Sequence, residues 1–278
     1  MSRRRALAGG AAVAGTLAAG CAGRDDDSVS VLAAGSLQRA LDVRFREEVD
    51  VDLSVETRGS AACARLVAEG LREPDLLVLA DPVLFEGLAD RYTAFAANSL
   101  VVAHADTPVG RRVGDAPVPL DPLFADEARL ARTDPDADPL GYRTLFALAL
   151  AAERWEREYP ALLSPDQLVP ETELLALVET GSVDAAVAYR NMAVDHGVSF
   201  RPLPPRVNLA VPRLADHYAT QSYELPSGQV VRGKPITYGA ALLGERPATG
   251  AVFEALVAGD WLGGSFRVPE SLPVVREP

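Results

Sequence analysis

The pattern that most restricts this chain is the alternation of short apolar runs with stretches of helical spacing, which begins at Val29. Val29–Ala34 is apolar at almost every position and ends in Gly35-Ser36, as a strand covered on both faces of a parallel sheet would. Leu37–Glu48 then has helical spacing, Val51–Val55 reads as a second strand, Ser60–Leu71 as a helix with Ser60 at its N-cap, and Asp75–Leu79 as a third strand. Strand and helix in alternation predict an α/β protein whose parallel sheet is covered by helices.

The character then changes twice. Asn98–Ala103 is a further apolar strand, after which Thr107–Pro122 is punctuated by Pro and Gly and marks a crossing into a second lobe. Tyr142–Arg157 and Glu171–Glu179 read as helices and Asp184–Tyr189 as a strand; a return crossing suits Leu203–Val211. Beyond it come a hairpin around Pro226-Ser227-Gly228, a strand near Pro235–Leu242 and a helix over Ala248–Ala258. We therefore expect two lobes with parallel or mixed sheets, residues 29–103 with 205–278 and residues 104–204, joined by a two-segment hinge. Ligands of open α/β sheets collect beyond the carboxyl ends of the strands, so the expected site is the cleft between the lobes, buried by hinge closure.

Residues 1–21 read as an address. Arg3-Arg4-Arg5 precedes the apolar stretch Ala8–Gly20, which is too short to span a bilayer comfortably, and the paired arginines suit the twin-arginine export route. Leu17-Ala18-Ala19-Gly20-Cys21 is similar to a lipobox, so lipid on Cys21 is expected, with residues 22–28 as a polar tether and the body held at the extracellular face of the membrane. An uncleaved N-terminal anchor is the alternative reading, and it tethers the body equally.

With 27 basic and 39 acidic residues the formal net charge is −12, which argues against a nucleic-acid partner. Lys234 is the single lysine, a bias that resembles proteins working in high salt. On so acidic a body an anion site has to be built locally. Cys21 and Cys63 give no disulfide framework, and His104, His196 and His217 lack metal-ligand spacing. A monomer without a cofactor is expected.

The candidates for chemistry stand at strand-to-helix handovers. Gly35-Ser36 and Gly59-Ser60 combine close backbone approach with hydroxyls and free N–H groups at helix starts, which suits an oxyanion. A serine in such a place is ordinarily only a cap, Glu171 at a helix start only dipole complementation, and Tyr189 at the end of an apolar run only core. As a pair, Asp138 and Glu171 also fit general acid–base hydrolysis, although the aromatic content of 6% offers no sugar platform and neither HExxH nor GxSxG is present.

Taken in order, AAGSL at 33–37, RGSAACARLV at 58–67, DLLVLAD at 75–81, DPLGYRT at 138–144 and the stretch from Glu171 to Tyr189-Arg190 resemble the archaeal-type tungstate/molybdate-binding proteins of ABC transporters. The resemblance covers nearly the whole chain after the tether. It implies a type II periplasmic-binding-protein-like fold, an oxyanion captured for a permease partner, and no catalysis. It further implies that Ser36 and Ser60 hydrogen-bond the oxyanion from one lobe and that Tyr189 donates a phenol hydrogen bond. Asp138 and Glu171, or Glu173 in place of Glu171, would add carboxylate oxygens to the metal. Tungsten(VI) and molybdenum(VI) accept such oxygens, whereas sulfate and phosphate centres do not, so the acids would select the ligand. Another small anion, or a metal cation held by Asp138, Glu171 and Tyr189, remains open on the same fold.

Overall fold

Parallel strands leave their carboxyl ends on one edge, and that geometry decides where everything else in the molecule is placed. The computed structural model describes residues 28–125 and 127–278. The segment expected to direct export, Cys21 and the expected tether up to residue 27 lie outside the described residues.

The chain opens with β1 (Val29–Ala34), a helical stretch made of a 3-10 turn Gly35–Leu37, α1 (Gln38–Ala40), a π turn Leu41–Phe45 and α2 (Arg46–Glu48), then β2 (Leu53–Arg58), α3 (Ser60–Ala68), β3 (Leu76–Leu79) and β4 (Tyr92–Ala97). Next come β5 (Leu100–His104), α4 (Pro108–Asp115), β6 (Leu130–Ala131), α5 (Pro139–Trp155), α6 (Glu171–Glu179), β7 (Ala185–Tyr189), α7 (Arg190–His196) and β8 (Phe200–Pro202). The remainder supplies α8 (Ala215–Tyr218), β9 (Ser222–Glu224), β10 (Val230–Arg232), β11 (Thr237–Leu242), α9 (Pro247–Ala258) and β12 (Val274–Arg276).

Lobe I is built on a six-stranded sheet of order β12-β4-β11-β3-β1-β2. Its β1, β2 and β3 run parallel, while β11 pairs antiparallel with β3 and β4, and β12 with β4. Every residue of β3 is buried, as a strand covered on both faces requires. Trp261 anchors this core, with Phe45 at 5.1 Å between ring centroids and its indole N–H donated to the Leu256 carbonyl at 2.8 Å. Lobe II has the four-stranded sheet β6-β7-β5-β8, and β9 and β10 form a hairpin of their own.

The first crossing differs from the expectation. Leu100–His104 pairs with β7 and β8, so it belongs to the sheet of lobe II, and the chain changes lobes at Asn98-Ser99 rather than after residue 103. An apolar run buried on both faces looks the same in either sheet, so the pattern alone cannot assign it. The Pro/Gly-punctuated stretch meanwhile holds α4, capped by Thr107, whose hydroxyl oxygen accepts from the Gly110 N–H at 3.1 Å. The return segment lies against the first crossing: Leu100 N–H donates to the Asn208 carbonyl at 2.9 Å and Ile236 N–H to the Leu209 carbonyl at 2.8 Å. Two adjacent strands of chain thus connect the lobes, the arrangement of a hinge.

Candidate functional site

At the carboxyl edge of the first sheet, β1 hands over to Gly35-Ser36 and β2 to Gly59-Ser60. Ser36 is buried; its hydroxyl oxygen accepts from the Tyr238 phenol at 3.1 Å and its carbonyl from Asn191 Nδ2 at 2.7 Å. Ser60 is not the cap of α3. Gly59 holds that position, and Ser60 Oγ accepts from the Ala80 N–H at 3.0 Å, because the backbone at the end of β3 needs a partner and lies within its reach. A hydroxyl that accepts still has its own proton to give.

Lobe II answers with two helix starts. Asp138 caps α5, with Pro139 in the first helical position and Oδ1 accepting from Leu140 N–H at 3.0 Å. Its Oδ2 is buried without a hydrogen-bond partner. Glu171 opens α6 after Pro170 and is 4% exposed; neither of its carboxylate oxygens meets a donor at hydrogen-bond geometry, although the Ser36 N–H and hydroxyl lie near enough to act on its charge. Glu173, two positions on and therefore across the helix, is exposed, so of the two only Glu171 is buried at the cleft. Tyr189 ends β7 fully buried, its hydroxyl accepting from Arg143 Nη1 at 2.7 Å.

Each glycine-serine step faces one of these carboxylates. A Cβ on Gly35 would stand 2.7 Å from Glu171 Oε2, and one on Gly59 would stand 2.8 Å from Asp138 Cβ and run into the Ala137 carbonyl oxygen. The Ala62 N–H donates to that same carbonyl at 3.0 Å across the cleft. Glu171 lies between two cavities: one of about 420 Å³ lined by Arg58, Gly59, Thr133 and Asp138, the other of about 370 Å³ lined by Ser36, Arg39, Met192 and His196. Of the five residues expected from the sequence, Ser36, Asp138 and Glu171 line these cavities, while Ser60, next to Gly59, and Tyr189, bonded to Arg143, are buried and line neither.

Others join them that single-residue reasoning passed over. Arg143 is the only buried cation among the described residues, and it pairs with Asp81 at 3.1 Å. Both stand inside the motifs noted above, so a signal was there to be read. Tyr238, Asn98 and Asn191 form a chain beside Ser36, with Asn98 Nδ2 donating to Asn191 Oδ1 at 2.7 Å and to the Tyr238 hydroxyl at 3.3 Å.

The electrostatics are those of acids kept from water. Burial pushes Asp138 up to about 6 against the pull of the Leu140 N–H, the Thr133 hydroxyl and Arg143. Burial and then the charge of Asp138 push Glu171 well above the usual carboxylate range, while the Ser36 N–H and hydroxyl oppose them. Burial likewise raises the Tyr189 and Tyr238 phenols, so both remain neutral donors. Three unpartnered carboxylate oxygens facing hydroxyl donors suit an electron-poor centre that carries its own oxygens. Among the described residues no group of three or more His, Cys, Asp or Glu side chains is placed to hold a metal ion.

Residues 29–260 match the family of bacterial extracellular solute-binding proteins. The chain belongs to that family. As a solute-binding protein it is not an enzyme, and the carboxylate pair has no hydrolytic task. A candidate ABC transporter molybdenum-binding protein of Haloferax volcanii is 49% identical to it over 287 residues, covering 98% of this chain and 93% of that one. The molybdate/tungstate-binding protein WtpA of Pyrococcus abyssi is 26% identical over 267 residues, covering 81% and 78% of the two chains. Among solved structures, the periplasmic molybdate-binding protein of Azotobacter vinelandii shares the two-lobed type II fold, with a TM-score of 0.60 over 87% of this chain and 100% of that one at 14% identity.

Carboxyls raised by burial are expected to make closure of this solute-binding protein sensitive to pH. Asp138 rises from its ordinary range to about 6 when buried, so closing the ligand-free cleft takes up protons. The advantage of the closed form is full below about pH 4 and is lost as pH rises through about 6. Ligand-free protein is expected to show a smaller radius of gyration at about pH 5 than at about pH 7.5, the closing equilibrium differing by roughly 1.4 kcal/mol through Asp138. Small-angle scattering checks it; equal radii would show that these carboxyls do not change ionisation on closure.

Proposed function

We propose that this solute-binding protein captures tungstate or molybdate outside the cell and delivers it to the permease of an ABC importer. The observation that carries the reading is the set of buried, unpartnered oxygens, Asp138 Oδ2 and both oxygens of Glu171, set against the Gly35-Ser36 and Gly59-Ser60 steps of the other lobe. The hydroxyls of Ser36 and Ser60 and the neighbouring N–H groups hydrogen-bond the four oxygens of the anion, and Tyr189 contributes its phenol. Asp138 and Glu171 coordinate the hexavalent metal directly.

Carboxylates only repel an ordinary oxyanion. They become useful when the central atom is large and hard enough to take further oxygens, which tungsten(VI) and molybdenum(VI) are and sulfur and phosphorus in their oxyanions are not. The accumulated negative charge is offset by Arg143, by the N-terminal ends of α5 and α6, and by the hydroxyl donors. The names borne by the Haloferax and Pyrococcus relatives support the same ligands. Isothermal titration with tungstate, molybdate, sulfate and phosphate tests the reading: the two metal oxyanions are expected to bind and the other two not. Sulfate binding as tightly as tungstate would end it.

The same proposal places the protein on the outer membrane face through lipid on Cys21, after twin-arginine export, as a monomer. Cys21→Ser is expected to leave the membrane fraction or to accumulate as precursor. A variant that fractionates and migrates like the parent would remove the lipid anchor from the proposal.

A further inference from the structure

A third carboxylate faces this cleft, and unlike the other two it is saturated. Asp81 stands two residues beyond the lobe I strand β3 and is 1% exposed. Its Oδ2 accepts from the Tyr142 hydroxyl at 2.7 Å and lies 3.1 Å from Arg143 Nη2; its Oδ1 lies 2.8 Å from Lys234 Nζ and accepts from the Val83 N–H at 3.3 Å. Burial acts to raise this carboxyl, but Lys234 and Arg143 hold it below its ordinary range. Asp81 thus has no oxygen to offer a ligand. Tyr142 and Arg143 belong to α5 of lobe II, so two of its partners come from across the cleft, whereas Lys234 belongs to its own lobe.

Arg143 spans the same gap from the other side. Its Nη1 donates to the Ala80 carbonyl of lobe I at 2.9 Å and to the Tyr189 hydroxyl of lobe II at 2.7 Å. It lies over the rings of Tyr142 and Tyr189 at 5.8 Å each. One guanidinium therefore hydrogen-bonds the backbone just past β3 and the phenol of Tyr189 through Nη1, while its Nη2 meets the lobe I carboxylate as an ion pair, without a hydrogen bond of good geometry. When the lobes part, Asp81 keeps Lys234, but Arg143 exchanges Asp81 and Ala80 for water.

We propose that the Asp81–Arg143 pair is an interlobe latch, and that Arg143 is the positioning residue that couples arrival of an anion to closure. A buried ion pair contributes little by itself, because both charges leave water. What tips the balance is the anion: Asp138, Glu171 and the ligand all add negative charge, and Arg143 is the buried cation beside them. The pair then forms readily only on a loaded cleft. The proposal rests on the oxyanion reading for its ligand, not for its contacts.

The test is a double-mutant cycle in the full protein with Asp81→Asn, Arg143→Gln and both together, titrated with tungstate, sulfate and phosphate. Asparagine can still accept from the Val83 N–H with its one oxygen, and its amide N–H can donate to the Tyr142 hydroxyl instead of accepting from it. It removes a negative charge from an anion cleft, so unspecific electrostatics predicts tighter binding. The latch predicts at least about tenfold weaker binding, by the same factor for every anion that the parent binds. The double variant is expected to bind no more weakly than Arg143→Gln, and Arg143→Lys to recover part of the affinity. Asp81→Asn binding as tightly as the parent, or losses that simply add, would overturn the latch. So would a fall in ligand-free melting temperature as large as the fall at saturating anion, the mark of a merely structural pair. A parent that preferred sulfate would sink the coordination reading while leaving the cycle readable with sulfate.

Discussion

Replacing Glu171 with glutamine is expected to weaken tungstate and molybdate binding by about ten- to a hundredfold, a loss of roughly 1–3 kcal/mol. The substitution keeps size and polarity and removes a negative charge, so an anion held by hydrogen bonds alone should bind more tightly afterwards. Coordination predicts the reverse, because an amide is a poorer ligand for a hexavalent centre than a carboxylate. Affinity for sulfate, which never uses the carboxylate, should hold or rise, so selectivity shrinks. Asp138→Asn is expected to behave alike, and its amide oxygen can still cap α5 at Leu140, so the loss is not helix fraying. Glu173→Gln, on the exposed face, is expected to be silent. Tungstate binding by Glu171→Gln at parental strength, measured by titration calorimetry, would show that this carboxylate is not a metal ligand.

Gly59→Ala should be more severe still. Gly59 has φ −57°, which alanine adopts freely, so neither lobe is strained by the change. The conflict arises only on closure, when the new methyl meets the Ala137 carbonyl oxygen and Asp138 Cβ. The first of these is backbone, fixed by the Ala62 N–H and the turn before α5, and no rotamer change relieves it. We expect the ligand-free variant to melt like the parent, to lose compaction on adding tungstate, and to bind it at least about a hundredfold more weakly, comparable to several kcal/mol of overpacking. Gly250→Ala, with open space around it in α9, is the control that should change nothing. Parental compaction in Gly59→Ala would mean that the lobes meet differently from the closed arrangement seen here.

Much of the fold was legible wherever local pattern and tertiary need agree. The runs at β1 and β3, the start of α6 after Pro170 and the hairpin turn at 226–228 carry their own chemistry, and the chain forms them as read. Leu100–Ala103 shows the limit: its burial was plain, but which sheet buries it is decided by partners distant in sequence. The candidate site divides in the same way. Asp138 and Glu171 stand at helix starts, and a carboxylate there can be found by eye. Ser60 looked like a cap and became the partner of Ala80, since two acceptable uses of one hydroxyl differ only in three dimensions. Tyr238, Asn98 and Asn191 are isolated polar residues next to apolar runs, and nothing local says that they meet.

The facing of Gly35 with Glu171 and of Gly59 with Asp138 also determines how cargo is given up. In the proposed complex the hydrogen-bond donors of one lobe and the carboxylates of the other hold the anion in common, so neither half is a binding site alone. Hydrogen bonds fail within about an ångström of stretch, and metal–oxygen bonds are no more forgiving. Affinity thus becomes a steep function of the gap between lobes. A membrane partner that pries them apart by a few ångströms converts mechanical work directly into release, and a cargo held very tightly in transit can be surrendered in a single stroke.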